Sequence, residues 1–149
     1  MEPKAVLDYC LSNLPGTVLV ESWGEKGVFY NPGGRLKRGL RPYSKRKGWG
    51  KRNDRGSNLD RAGVYRVNLG LRKTTFFRLF GDLPSRPSAG RTVEMSCDFA
   101  ALNVLLPHPV YAWMGWACML NPSEQTFEEL KPLIGEAYQL AREKFLKRK

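Results

Sequence analysis

Tyr65, Val67, Leu69 and Leu71 alternate with Arg66, Asn68 and Gly70. Side chains along a strand point to opposite faces in turn, so this spacing predicts a strand with one buried face. The strand is entered through the polar turn that begins at Ser57. Arg66 and Asn68 are then expected to point outward. Whatever else the chain does, it must build a sheet around residues 65–71.

The segments before it are short. Ala5, Val6, Tyr9 and Cys10 recur at helical spacing within Lys4 to Leu14, and Pro15-Gly16 ends that helix. Thr17 to Ser22 is rich in branched residues and reads as a strand, with Gly27 to Asn31 as the returning arm of a hairpin. A third strand is expected over Leu40 to Lys47 and loop elsewhere in 35–58.

After the central strand, Arg72 to Phe80 predicts a short helix stopped by Gly81, and the prolines of 82–94 predict a loop. Asp98 is expected to cap a helix through Phe99, Leu102, Leu105 and Leu106. Val110 to Leu120 is expected to be a strand covered on both sides. The pattern Thr126-x-x-Glu129 predicts the start of a long terminal helix carrying Phe127, Leu130, Ile134, Ala137, Ala141 and Phe145 on one side. Its closing Lys144, Lys147, Arg148 and Lys149 complement the helix dipole.

These elements predict an α+β protein: a single antiparallel β-sheet with the N- and C-terminal helices packed on one face. At 149 residues one core is expected, hence a single domain over 1–149 with a basic segment at 35–58. Hydrophobic residues at 42% and charged residues at 26% exclude a disordered chain. No apolar run approaches the roughly 18 residues of a membrane span, and the N-terminus lacks the layout of a signal peptide. A cytoplasmic protein without membrane contact is expected.

Leu59-Asp60-Arg61-Ala62-Gly63-Val64-Tyr65-Arg66-Val67-Asn68, His108-Pro109-Val110-Tyr111 with Gly115-Trp116, and Asn121-Pro122-Ser123 with Thr126 resemble an uncharacterised bacterial family whose layout is similar to the MmcQ/YjbR group. The resemblance implies a fold like that of the YjbR and CyaY proteins. It also implies, by analogy with YjbR-like proteins, contact with DNA through the exposed side of the sheet. It implies no reaction.

Charge is the strongest compositional signal. The net charge is +11, yet residues 1–34 carry two cations against four anions and residues 96–149 six against six. Between Arg35 and Arg55 ten cations face only Asp54. Such a local field attracts polyanions. The expected nucleic-acid contacts are Arg41, Tyr43, Lys45, Arg46, Lys47, Trp49, Lys51 and Arg52, with Arg66 on the adjoining strand. RNA or single strands are favoured over duplex major-groove reading, because no basic recognition helix accompanies them. A solvated surface is the plainer explanation of the same charge.

The alternative is a small-anion or enzymatic pocket made of Asp60, Arg61, Arg66, Asn68 and His108. Against it, Asp60 is expected to pair with Arg61 or Arg66 and fix the turn, and His108 between two prolines to be a structural bridge. No complete catalytic constellation is legible. Cys10, Cys97 and Cys118 have no metal-ligand spacing, and neither a metal nor another cofactor is expected. Aromatics left exposed would mark an interface, and a homodimer through the sheet is compatible with the pattern.

Overall fold

A computed structural model describes residues 1–22, 25–34, 40–46 and 56–147, with 22, 25, 34 and 40–46 described as backbone only. The protein is α+β. Helix α1 (Pro3–Asn13) starts on a proline, whose fixed φ suits a first helical turn. It buries Val6, Leu7 and Cys10. Leu14 N–H closes it on the Cys10 carbonyl at 3.0 Å, and Gly16 turns the chain at φ +82° against the ring of Tyr30. Strands β1 (Thr17–Ser22) and β2 (Glu25–Tyr30) follow as the expected hairpin, then β3 (Leu40–Arg46) and β4 (Arg66–Gly70).

Helix α2 (Lys73–Phe80) is stopped by Gly81 at φ +88°. It leads through irregular chain to β5 (Leu105–Pro107), a 3-10 turn (Ala112–Met114), β6 (Trp116–Leu120) and α3 (Glu124–Lys147). The strand order is β1-β2-β3-β4-β6-β5, with every neighbouring pair antiparallel. The halves β1-β2-β3 and β4-β6-β5 meet at a short seam, Ser44 opposite Asn68 and Lys45 opposite Val67.

Alternation along the strands decides which face meets the helices. Val28 and Tyr30 of β2, Val67 and Leu69 of β4, and Ala117 and Met119 of β6 pack with Val6, Leu7 and Cys10 of α1. The apolar stripe of α3 from Phe127 to Phe145 joins the same cluster. Tyr30 sits edge-on to Tyr138 and Phe145 at 5.7 and 5.1 Å. Each fully buried apolar side chain of this kind contributes about 1.5–3 kcal/mol.

Three expectations fail for physical reasons. Residues 98–104 are not a helix: the Asp98 carboxylate accepts the Ala100 N–H at 3.0 Å, forming a turn. Asn103 then adopts φ +61°, and its N–H reaches the Leu120 carbonyl at the edge of β6. Pairing with a sheet edge overrides the helical spacing of Phe99, Leu102 and Leu105. The segment before Trp116 is a 3-10 turn closed by Gly115 at φ +88°, where a Cβ would lie 3.0 Å from the Leu71 carbonyl oxygen. Finally, Ser123 caps α3, its Oγ accepting the Thr126 N–H at 3.1 Å, so the helix begins at Glu124, ahead of the Thr126 pattern.

Candidate functional site

The second face of the sheet is where structure and expectation part. Arg66 and Asn68 do point away from the α1/α3 core, but they do not reach solvent. Arg66 is 0% exposed and Asn68 3%. Residues 56–64 and 92–109 fold over this face. Leu59, Val64 and Ala101 pack on Leu106, Cys118 and Leu120, and the Val93 N–H donates to the Pro109 carbonyl at 2.8 Å. Gly56 fits against Thr92 and Pro109, where a Cβ would come within 2.9 Å of both side chains. Arg66 Nη1 donates to the buried Ser57 Oγ at 3.0 Å. The expectation of an outward Arg66 and an open sheet face at β4 is therefore corrected: a second layer buries both residues.

His108 lies under the same cover at 1% exposure. Its Nδ1 accepts the N–H groups of Val110 and Tyr111, each at 3.1 Å, and the Ala112 N–H donates to its carbonyl. The ring lies 5.0 Å from that of Tyr111 and 6.5 Å, edge-on, from that of Trp116. An Nδ1 that accepts carries no proton, so the neutral ring holds its proton on Nε2. A lone pair committed to two amides is not offered to a substrate. The bridge runs from the backbone N–H groups to the ring, as a structural histidine between two prolines would make it.

Asp60 and Arg61 stand elsewhere. They line a cleft of about 610 Å³ between residues 59–65, residues 1–3 at the start of the chain and Asn121. The lining of this cleft does not include Arg66, Asn68 or His108. Arg61 directs Nε to the Asn58 carbonyl at 3.1 Å and Nη2 to the carbonyls of Ser57 and Ala100 at 3.2 and 2.9 Å. Its guanidinium ties the turn to the covering layer rather than forming an open fork. Asp60 is exposed at the rim.

Tyr65 closes the floor of the cleft, its hydroxyl donating to the Met1 carbonyl at 3.1 Å. Burial, helped by the Glu2 charge, pushes this phenol up to about 12, so it remains a donor. Asn121, at φ +43°, accepts the Tyr65 N–H and donates to the Gly63 carbonyl, clamping the turn to the end of β6. Sequence reasoning missed that role and those of Ser57 and Ser123. An Asn or Ser beside Pro or Gly, where αL backbone and side-chain bonds to backbone are common, was the available signal.

Neither Cys10 nor Cys97 is activated. Burial pushes Cys10 up to about 12. Cys97 is exposed, yet partial desolvation and then the neighbouring Asp98 charge hold its thiol above the ordinary value. Among the described residues no three His, Cys, Asp or Glu side chains gather as metal ligands, and no helix is long and apolar enough to cross a membrane.

Of the expected polyanion contacts, Arg41, Tyr43, Lys45 and Arg46 fall on β3, whose backbone alone is described; Lys47, Trp49, Lys51 and Arg52 lie outside the described residues. β3 itself is an interior strand, paired with β2 on one side and β4 on the other. Of the basic stretch, residues 40–46 thus run through the interior of the sheet.

No curated protein and no solved structure matches the chain. A family model does so from end to end, over residues 1–149, and the chain belongs to that family, DUF6194, a family of unknown function.

Proposed function

We propose that this protein binds polyanions, with RNA or single-stranded nucleic acid as the favoured class. One observation carries the reading: ten cations face a single carboxylate between Arg35 and Arg55. β3 anchors the middle of that stretch, and at roughly 3.4 Å per residue its seven residues span about 20 Å. The cationic sequences before and after it therefore start from fixed points well apart, which suits an extended phosphate backbone. Tyr43 and Trp49 supply aromatic surface for stacking on bases. The same reading takes the layout as YjbR- and CyaY-like, in a cytoplasmic bacterial protein. Support for that layout comes from α1 and α3 sharing one side of an antiparallel sheet.

The small-anion pocket has less support. Its arginines and histidine are occupied by Ser57, by backbone carbonyls and by backbone amides.

The test is fluorescence anisotropy with labelled single-stranded DNA, duplex DNA and hairpin RNA across a salt series. Micromolar affinity that falls linearly on logarithmic axes, with a slope reflecting on the order of 5 phosphate contacts, is expected. Replacing Lys47, Lys51, Arg52 and Arg55 together with Ser should flatten the slope by about 3 without lowering Tm. These positions lie outside β3, whereas Lys45 and Arg46 lie within it. Absence of binding at ~50 mM salt overturns the proposal.

A further inference from the structure

β1 is the outermost strand on its side of the sheet, and among the described residues no strand pairs with its outer edge. The phase of its ladder follows from one bond: the Asn31 N–H donates to the Gly16 carbonyl at 3.0 Å, one step beyond the Thr17–Tyr30 pair. Hydrogen-bonded and wide pairs alternate in an antiparallel ladder. Gly16, Val18 and Val20 therefore bond to β2, and Thr17, Leu19 and Glu21 turn their peptide groups to the open edge. The Thr17 N–H is already held by the Leu14 carbonyl at 3.3 Å. The edge is left with the N–H groups of Leu19 and Glu21 and the carbonyls of Thr17, Leu19 and Glu21.

This set complements itself. With a two-fold axis at Leu19, each Leu19 exchanges both its bonds with Leu19 of a second copy. Each Glu21 N–H then meets a Thr17 carbonyl of the second copy. Every N–H that the edge still offers is used, and the occupied Thr17 N–H is not called upon to move. A register shifted by one pair toward Glu21 would bring the two Glu21 carboxylates into diagonal contact; one shifted the other way would need the Thr17 N–H. The side chains agree with the backbone. Val18, Leu19 and Val20 are 42%, 42% and 40% exposed, three consecutive apolar residues on an edge of the kind that proteins ordinarily blunt with charge or proline. The charge near them, Glu21, is tied to Lys26 of β2 at 3.3 Å.

We infer that β1 pairs with β1 of a second copy, Leu19 opposite Leu19 and Val18 opposite Val20, joining two sheets about a two-fold axis. An interface built on one strand is small, so the dimer is a micromolar one.

Sedimentation equilibrium of the full chain over a micromolar concentration series should show a monomer–dimer equilibrium. Val20→Lys should weaken it about tenfold or more with an unchanged melting curve. In a Cys97→Ser background, Leu19→Cys should form an intermolecular disulfide on mild oxidation, because directly opposed Cα atoms about 5.5 Å apart fall in disulfide range. Val18→Cys and Val20→Cys proteins should cross-link when mixed, whereas Val18→Cys alone should not. A monomer at every concentration, or Leu19→Cys linking no faster than a control thiol at Glu94, overturns the inference. Cross-linking of Val20→Cys alone in preference to Leu19→Cys overturns the register.

Discussion

Arg66 Nη1 lies 3.0 Å from Ser57 Oγ in a layer where neither residue is reached by solvent. A guanidinium is costly to remove from water, and the Ser57 hydroxyl offsets part of that cost. The pair fastens the turn at 57 to β4 and so holds the cover over the second face.

Arg66→Ala is expected to cost about 3 kcal/mol or more, since it removes a buried charged partner and leaves a cavity. Ser57→Ala should cost about 1–3 kcal/mol. Chemical denaturation measures both. Polyanion affinity, read well below the melting temperature, should be unchanged in Arg66→Ala; a selective loss of binding with stability intact would return Arg66 to the contact surface.

His108 offers a comparable separation. His108→Ala leaves the amides of Val110 and Tyr111 without their acceptor and opens a cavity where a fully buried ring stood, and is expected to cost about 2 kcal/mol or more. A catalytic histidine would show the opposite pattern, with Tm preserved. Thermal melting of the variant distinguishes them.

The carboxylate of Glu143 on α3 accepts both terminal nitrogens of Arg72, at 2.7 and 3.0 Å, at the start of α2. The hydrogen bonds from Arg72, and then its charge, hold Glu143 below the usual carboxylate value. A folded value below the unfolded one makes the contribution full above the unfolded value of about 4.3 and lost as pH falls through the folded value. Glu143→Gln should therefore lower Tm slightly at neutral pH and leave it unaltered at strongly acid pH. The effect is small because both side chains are largely exposed. Melting curves of the two proteins at both pH values check the sign.

Local rules carried far in this chain. Pro15-Gly16, the branched run of β1, the alternation at 65–71 and Gly81 each specify a boundary or a face through chemistry within a few residues, and those elements stand as expected. The failures are of another kind. Arg66 was expected outward because period-2 alternation tells which side chains leave the core but not whether another layer waits for them. That layer comes from Ser57, Val93 and His108, distant in sequence and joined by bonds that no spacing encodes. Leu105 and Leu106 likewise answer to the edge of β6 and not to their own helical spacing. That Asp60 and Arg61 line an open cleft while Arg66, Asn68 and His108 are buried depends on how the covering layer closes, which is visible only once the chain is folded.

The two-pair seam between β3 and β4 has a mechanical consequence. The strand that joins the halves of the sheet is also the strand that carries the densest like charge, so electrostatic self-repulsion loads the shortest ladder in the interior of the fold. Counterions that relieve the repulsion relieve the seam. A polyanion bound as proposed would do so most effectively, and its binding would then make the two halves of the sheet harder to part.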